Sequence, residues 1–71
     1  TVVEVYTNSC PNCKRLHPIF EDTAYEYGKV YSFYKLDAHK NIELVKKYKI
    51  LGVPTLLFFK EGRLLDKKTG V

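Results

Sequence analysis

Two cysteines, Cys10-Pro11-Asn12-Cys13, stand where one hydrophobic pattern gives way to another. Before them, Thr1 to Tyr6 reads Thr-Val-Val-Glu-Val-Tyr, rich in the β-branched and aromatic residues that favour a strand. After them, Cys13, Leu16, Phe20, Ala24 and Tyr27 recur at steps of three or four, with Ile19 beside them, which is a helical period. Thr7-Asn8-Ser9 is a polar connection able to cap that helix, and Pro11 suits its first turn. A pair this close closes too short a loop to staple distant parts of a fold. Its role is therefore chemical rather than architectural.

The rest of the chain completes a short α/β pattern. Pro18 falls inside the helical run and predicts a kink, and Gly28 fits the stop. Val30 to Leu36 reads as a second strand. Asn41 is placed to cap a short helix through Tyr48, with Ile42, Val45 and Tyr48 on its apolar side. Gly52 and Pro54 interrupt the chain, Thr55 to Lys60 is a strand apolar enough to be buried on both faces, and Glu61-Gly62 turns it into a fourth strand from Arg63 to Lys68. The order β-α-β-α-β-β predicts a mixed four-stranded sheet with helical cover, the first two strands parallel and the last two an antiparallel hairpin. With 71 residues and no repeat or linker, residues 1–71 make a single domain.

Charge narrows the function classes. The formal net charge of +4 comes partly from Lys46-Lys47-Lys49 and Lys67-Lys68, groups too sparse for a nucleic-acid-binding stripe. The longest apolar run, Leu56-Leu57-Phe58-Phe59, falls far short of the ~18 residues of a membrane span. With no export signal in view the expected compartment is the cytoplasm, although a start at Thr1 reads as a trimmed end.

The chemistry lies in the asymmetry of the pair. Cys10 precedes the helix, where free N–H groups and the macrodipole favour an anion and thus a thiolate. Cys13 lies one turn inside and is expected to be shielded. Cys10 would attack a substrate disulfide and Cys13 would resolve the mixed disulfide, or the reverse sequence would oxidise a dithiol.

These residues resemble the thioredoxin family. Cys10-Pro11-Asn12-Cys13-Lys14 matches its active-site motif, and Pro18 falls where its active-site helix is kinked. Gly52-Val53-Pro54-Thr55 resembles its cis-proline loop, Phe59-Lys60-Glu61-Gly62 its hairpin turn, and Gly70 the glycine ending its last strand. The resemblance implies a thioredoxin-like fold and a protein-disulfide oxidoreductase, monomeric, without a cofactor beyond the redox-active Cys10–Cys13 pair. It implies protein disulfides as substrates and a thioredoxin-reductase-type or glutathione electron donor. It implies a cis Pro54 facing the cysteines, with the Val53 backbone, Ser9, Pro11 and Asn12 bordering the substrate. Glu4 falls at the family's buried acid beneath the second cysteine, able to accept the Cys13 proton, and Lys35 at a family lysine near that acid.

The chain also departs from the family. Ser9 replaces a Trp, Pro-Asn stands between the cysteines in place of Gly-Pro, Glu4 replaces an Asp, and the family's first strand, first helix and final helix have no counterpart. The last departure implies a chain trimmed at both ends, or a partner over the uncovered face. Three other readings compete with this one. Val5-Tyr6-Thr7 before Cys10-Pro11 also resembles glutaredoxins, which use glutathione, but those carry Thr-Val-Pro where this chain has Gly52-Val53-Pro54. Cys10, Cys13 and His17, with His39 or a second copy as a fourth donor, outline a metal site; the preferred reading takes His17 as a partly exposed helix residue and expects no metal. A non-catalytic interaction domain on the same scaffold is the third, although such domains often lose a cysteine.

Overall fold

Alternation in the first strand decides what lies on each side of the sheet. The computed structural model describes residues 1–70. In chain order it holds β1 (Val2–Tyr6), α1 (Pro11–Tyr27), β2 (Phe33–Asp37), α2 (Ile42–Lys47), β3 (Thr55–Lys60) and β4 (Arg63–Thr69). The strands form one sheet in the order β2-β1-β3-β4. β1 runs parallel to β2 and antiparallel to β3, and β4 is antiparallel to β3. This is the mixed four-stranded α/β sheet expected from the sequence.

Val3 and Val5 point to one face of β1, and Val2, Glu4 and Tyr6 to the other, as the twofold period of a strand requires. On the first face Val5, Ile50 and Leu57 form a buried cluster, with Val45 and Tyr48 from the α2 side packed against it. On the second face lies α1. Its Phe20 meets Phe33 of β2 edge-on at 5.7 Å between ring centroids. The packing there is open: Val2, Leu16, Phe20, Phe33, Leu56 and Phe58 line a cleft of about 300 Å³. β3 is thus unequally buried. Leu57 is sealed on the α2 side, whereas Leu56 and Phe58 are only half-buried on the cleft side, so the two-faced burial expected of this strand is not reached.

Several boundaries differ from the sequence expectation. The second strand begins at Phe33, not Val30, because the Val30 and Tyr31 amides both return to the Tyr27 carbonyl at the end of α1. α1 runs unbroken through Pro18, which lacks the N–H that would bond the Lys14 carbonyl. Gly28 ends the helix in right-handed geometry (φ −65°), and its use is close approach: a Cβ there would lie 2.5 Å from the Ala24 carbonyl oxygen. Asn41 makes no side-chain cap; its Nδ2 donates instead to the Asp37 carbonyl at 2.9 Å. Ile42, expected on the apolar side of α2, is exposed.

Candidate active site

The cysteines occupy the turn from β1 into α1. Cys10 is the N-cap residue, extended at φ −89° and ψ 113°, and its carbonyl accepts the Lys14 N–H at 3.2 Å. Its Sγ accepts the backbone N–H of Cys13 at 3.1 Å, so a sulfur performs the capping bond that an oxygen usually makes. Both residues are free thiols. Cys10 retains 9% exposure and Cys13 none. Ser9, Pro11 and Asn12 are exposed around them. Burial first, then the hydrogen bond with Cys10, pushes the Cys13 thiol up to about 11.

Glu4, on the α1 face of β1, is wholly buried. Its negative charge is one of the influences that raise Cys13, which places the carboxylate and the thiol within electrostatic reach. Burial raises the Glu4 carboxyl above its ordinary value, while His17 and then Lys35 pull it back. His17 comes from α1, one turn beyond Cys13, and its Nδ1 lies 3.1 Å from Glu4 Oε1. The approach is close but lacks hydrogen-bond alignment, and among the described residues neither Glu4 oxygen nor His17 Nδ1 has an aligned partner. Tyr6 flanks the imidazole edge-on, 5.3 Å between centroids.

Lys35 stands opposite Glu4 in the β1–β2 register, on the same face. Its ammonium, however, bonds Glu21 of α1 rather than Glu4. The lysine expected beside the acid thus acts on it only through its field, and the direct contact belongs to His17. His17 is the partly exposed helix residue that the sequence predicts, but its contact with Glu4 is not among the sequence expectations. The available signal was its spacing: four residues past Cys13 on a helix, it shares the inward face of the cysteine.

Pro54 is buried, and the Val53–Pro54 bond is cis. Thr55 pairs with Val5, which sets Pro54 at the same end of the sheet as the loop carrying Cys10. The Pro54 carbonyl accepts the Gly70 N–H at 2.8 Å, and Thr55 Oγ1 donates to the Gly52 carbonyl at 2.6 Å, so the loop is tied on both sides. Val53 packs its side chain on the core cluster, and sheet pairing begins only at Thr55. Among the described residues no group of three or more His, Cys, Asp or Glu is placed to hold a metal ion, and no helix is long and apolar enough to cross a membrane.

The Thioredoxin family profile matches residues 1–71. The thioredoxin of Mycoplasmoides gallisepticum is 41% identical over 69 residues, covering 97% of this chain and 68% of that protein. The thioredoxin of Staphylococcus aureus is 33% identical over 69 residues, 97% of this chain and 66% of its own length. Among solved structures, that of Malassezia sympodialis thioredoxin superposes with a TM-score of 0.91 at 30% identity, covering 97% of this chain and 61% of the other. The chain thus spans about two thirds of the length of the relatives it matches. A cysteine pair opening the first helix of a mixed sheet, a buried acid on the strand before it, a cis-proline loop at the same sheet end and these likenesses converge, and the chain belongs to the thioredoxin family of thiol–disulfide oxidoreductases.

Proposed function

We propose that this chain exchanges disulfides with protein substrates, Cys10 acting as nucleophile and Cys13 as resolving thiol. The observation that carries the reading is the inequality of the two sulfurs. Cys10 keeps a solvent-facing edge and a helix-start N–H donor, whereas Cys13 is sealed and held near a pKa of about 11. Cys10 Sγ attacks one sulfur of the substrate disulfide, forming a mixed disulfide and releasing the other sulfur as a thiolate. Cys13 then attacks Cys10 Sγ, the Cys10–substrate bond breaks, and its electron pair leaves on the second substrate sulfur.

The second step needs a base. At neutral pH a thiol titrating near 11 is ionised in only about one molecule in ten thousand. Glu4 supports the role of acceptor: it lies within electrostatic reach of Cys13, and its raised affinity for protons makes it a stronger base than an exposed carboxylate. The exposed Ser9, Pro11 and Asn12 and the backbone of Val53, unpaired by the sheet, border the approach to Cys10 and suit an extended peptide. Pro54 holds that loop in place. Reducing equivalents would come from a thioredoxin-reductase-type enzyme or from glutathione.

Insulin-disulfide reduction with cysteine variants tests the assignment. Cys10→Ser is expected to abolish turnover, and Cys13→Ser to leave first attack intact and accumulate the mixed disulfide. Turnover by Cys10→Ser at the parent rate overturns the choice of nucleophile. Turnover supported by glutathione and its reductase but never by thioredoxin reductase would move the chain to glutaredoxin-type chemistry.

A further inference from the structure

We infer that His17 is a positioning residue that carries the resolving proton from buried Glu4 to solvent, with the juxtaposition of Glu4 Oε1 and His17 Nδ1 at 3.1 Å as the transfer point. The inference rests on the proposed role of Glu4 as the base for Cys13 and adds where that proton goes next. A carboxylate with no exposure cannot exchange protons directly with water, and among the described residues neither of its oxygens has an aligned hydrogen-bond partner. A base in that position takes the Cys13 proton more readily when an adjacent group passes a proton on within the same resolution step.

His17 is built to pass that proton on. Its Nδ1 is buried against Glu4, yet 28% of its side chain remains exposed, so one imidazole touches both the acid and the solvent. α1 brings it there, since residues four apart share a helix face and Cys13, on that face, lies within electrostatic reach of Glu4. Tyr6 flanks the ring and limits its swing. The competing cation is engaged elsewhere: Lys35 bonds Glu21. The titratable groups around the contact are thus Glu4 and Tyr6 from β1, Lys35 from β2, and Cys13 and Glu21 from α1 itself.

The proton balance is simple. As Cys13 attacks, its thiol proton passes to Glu4. Glu4 hands a proton through Oε1 to His17 Nδ1, and the imidazolium releases the proton of its other nitrogen to water. Glu4 ends as a carboxylate and His17 as a neutral ring, with no net redox change in either. The electrons move only among the sulfurs, as in the exchange described above.

Single-turnover reaction with an aromatic disulfide such as dithiobis-nitrobenzoate separates the steps, because the first coloured thiolate reports attack by Cys10 and the second reports resolution by Cys13. In His17→Ala, first release is expected at the parent rate and second release about tenfold slower, a smaller loss than the ~100-fold or more expected when the proton acceptor itself is removed. Added free imidazole is expected to restore the second release. His17→Gln, which preserves polar contact but cannot carry a proton, is expected to be equally slow and guards against a packing defect in the alanine variant. If His17→Gln resolves at the parent rate, or if both releases slow alike and imidazole restores neither, the relay is overturned. Glu4→Gln serves as the reference: slow resolution there with normal resolution in both His17 variants removes the relay and leaves Glu4 as base. Normal resolution in Glu4→Gln removes the base, and the relay with it.

Discussion

A thiol held near 11 and a carboxylate held above its ordinary range are shifted by one cause, burial that disfavours the anion of each. The burial that weakens Cys13 as an acid also strengthens Glu4 as a base, so the thiol stays protonated at rest and, in the proposed resolution step, a neighbour takes its proton. Alkylation by iodoacetamide near neutral pH reads this inequality directly. Label is expected on Cys10 first, with Cys13 modified at least about 100-fold more slowly, since its thiolate fraction is suppressed by two pKa units or so relative to a free cysteine. Peptide mapping of partly labelled protein checks it; equal labelling of both would sink the division of labour. The cysteines were legible because their chemistry is local to one turn. Glu4 was legible through the family resemblance, which implied a buried acid at that position, and it is wholly buried. His17 was legible as sharing the Cys13 face of the helix, but its contact with Glu4 was not, because that is set by how α1 crosses β1. Lys35 was expected near that acid and stands opposite it, but its bond to Glu21, one turn beyond His17, left no mark in the sequence.

At the scale of elements, order and type follow from periodicity, whereas ends depend on bonds that leave no mark in sequence. Val30-Tyr31-Ser32 has strand composition, but its amides close the end of α1 and only Phe33 onward pairs with β1. The end of α2 is more instructive. The Ile50 N–H bonds the Val45 carbonyl at 3.0 Å, and the Lys49 N–H bonds that of Lys46 at 3.2 Å, with Lys49 left-handed at φ 52°. That is a Schellman closure with lysine at the position glycine normally fills, so the usual stop signal was missing. Ile50 and Val45 make its apolar contact within the core cluster. The Lys67 ammonium donates to the Tyr48 and Lys49 carbonyls at 3.3 and 2.9 Å, and stitches the helix end to β4. Lys49→Gly is expected to stabilise the fold by about 1 kcal/mol, the cost that a side chain incurs in left-handed geometry. Urea unfolding at fixed pH measures this, and a loss of stability would mean that the Lys49 side chain contributes contacts outweighing its backbone strain. The hairpin turn needed no such inference: Glu61 and Gly62 both take positive φ, 53° and 79°, the geometry of a two-residue loop that the Glu-Gly pair had already marked.

In the molecule as a whole, few residues are sealed from water. Val5, Ile50 and Leu57 anchor one face of the sheet, while the other face is occupied by an open cleft and by a charged group, Glu4. A small domain has little stability to spare, of order 5–10 kcal/mol, so a carboxylate buried without an aligned partner is a noticeable burden. The burden has a definite pH dependence. Folding raises the Glu4 pKa above its ordinary 4.5, chiefly through burial, so the folded chain binds its proton more tightly than the unfolded chain. The Glu4 contribution to stability is therefore most favourable below 4.5, where both states are protonated, and it declines as pH rises from there through the folded-state pKa. Glu4→Gln removes that ionisation. It is expected to match the parent in acid and to become progressively more stable than it above 4.5, up to a constant difference once Glu4 is ionised in both states. Unfolding free energies from about pH 3 to about pH 8 for both chains test this. A difference that is flat across the range, or that favours the parent at neutral pH, would show that His17 and Lys35 fully compensate the buried charge, and that this acid is held for the fold and not against it.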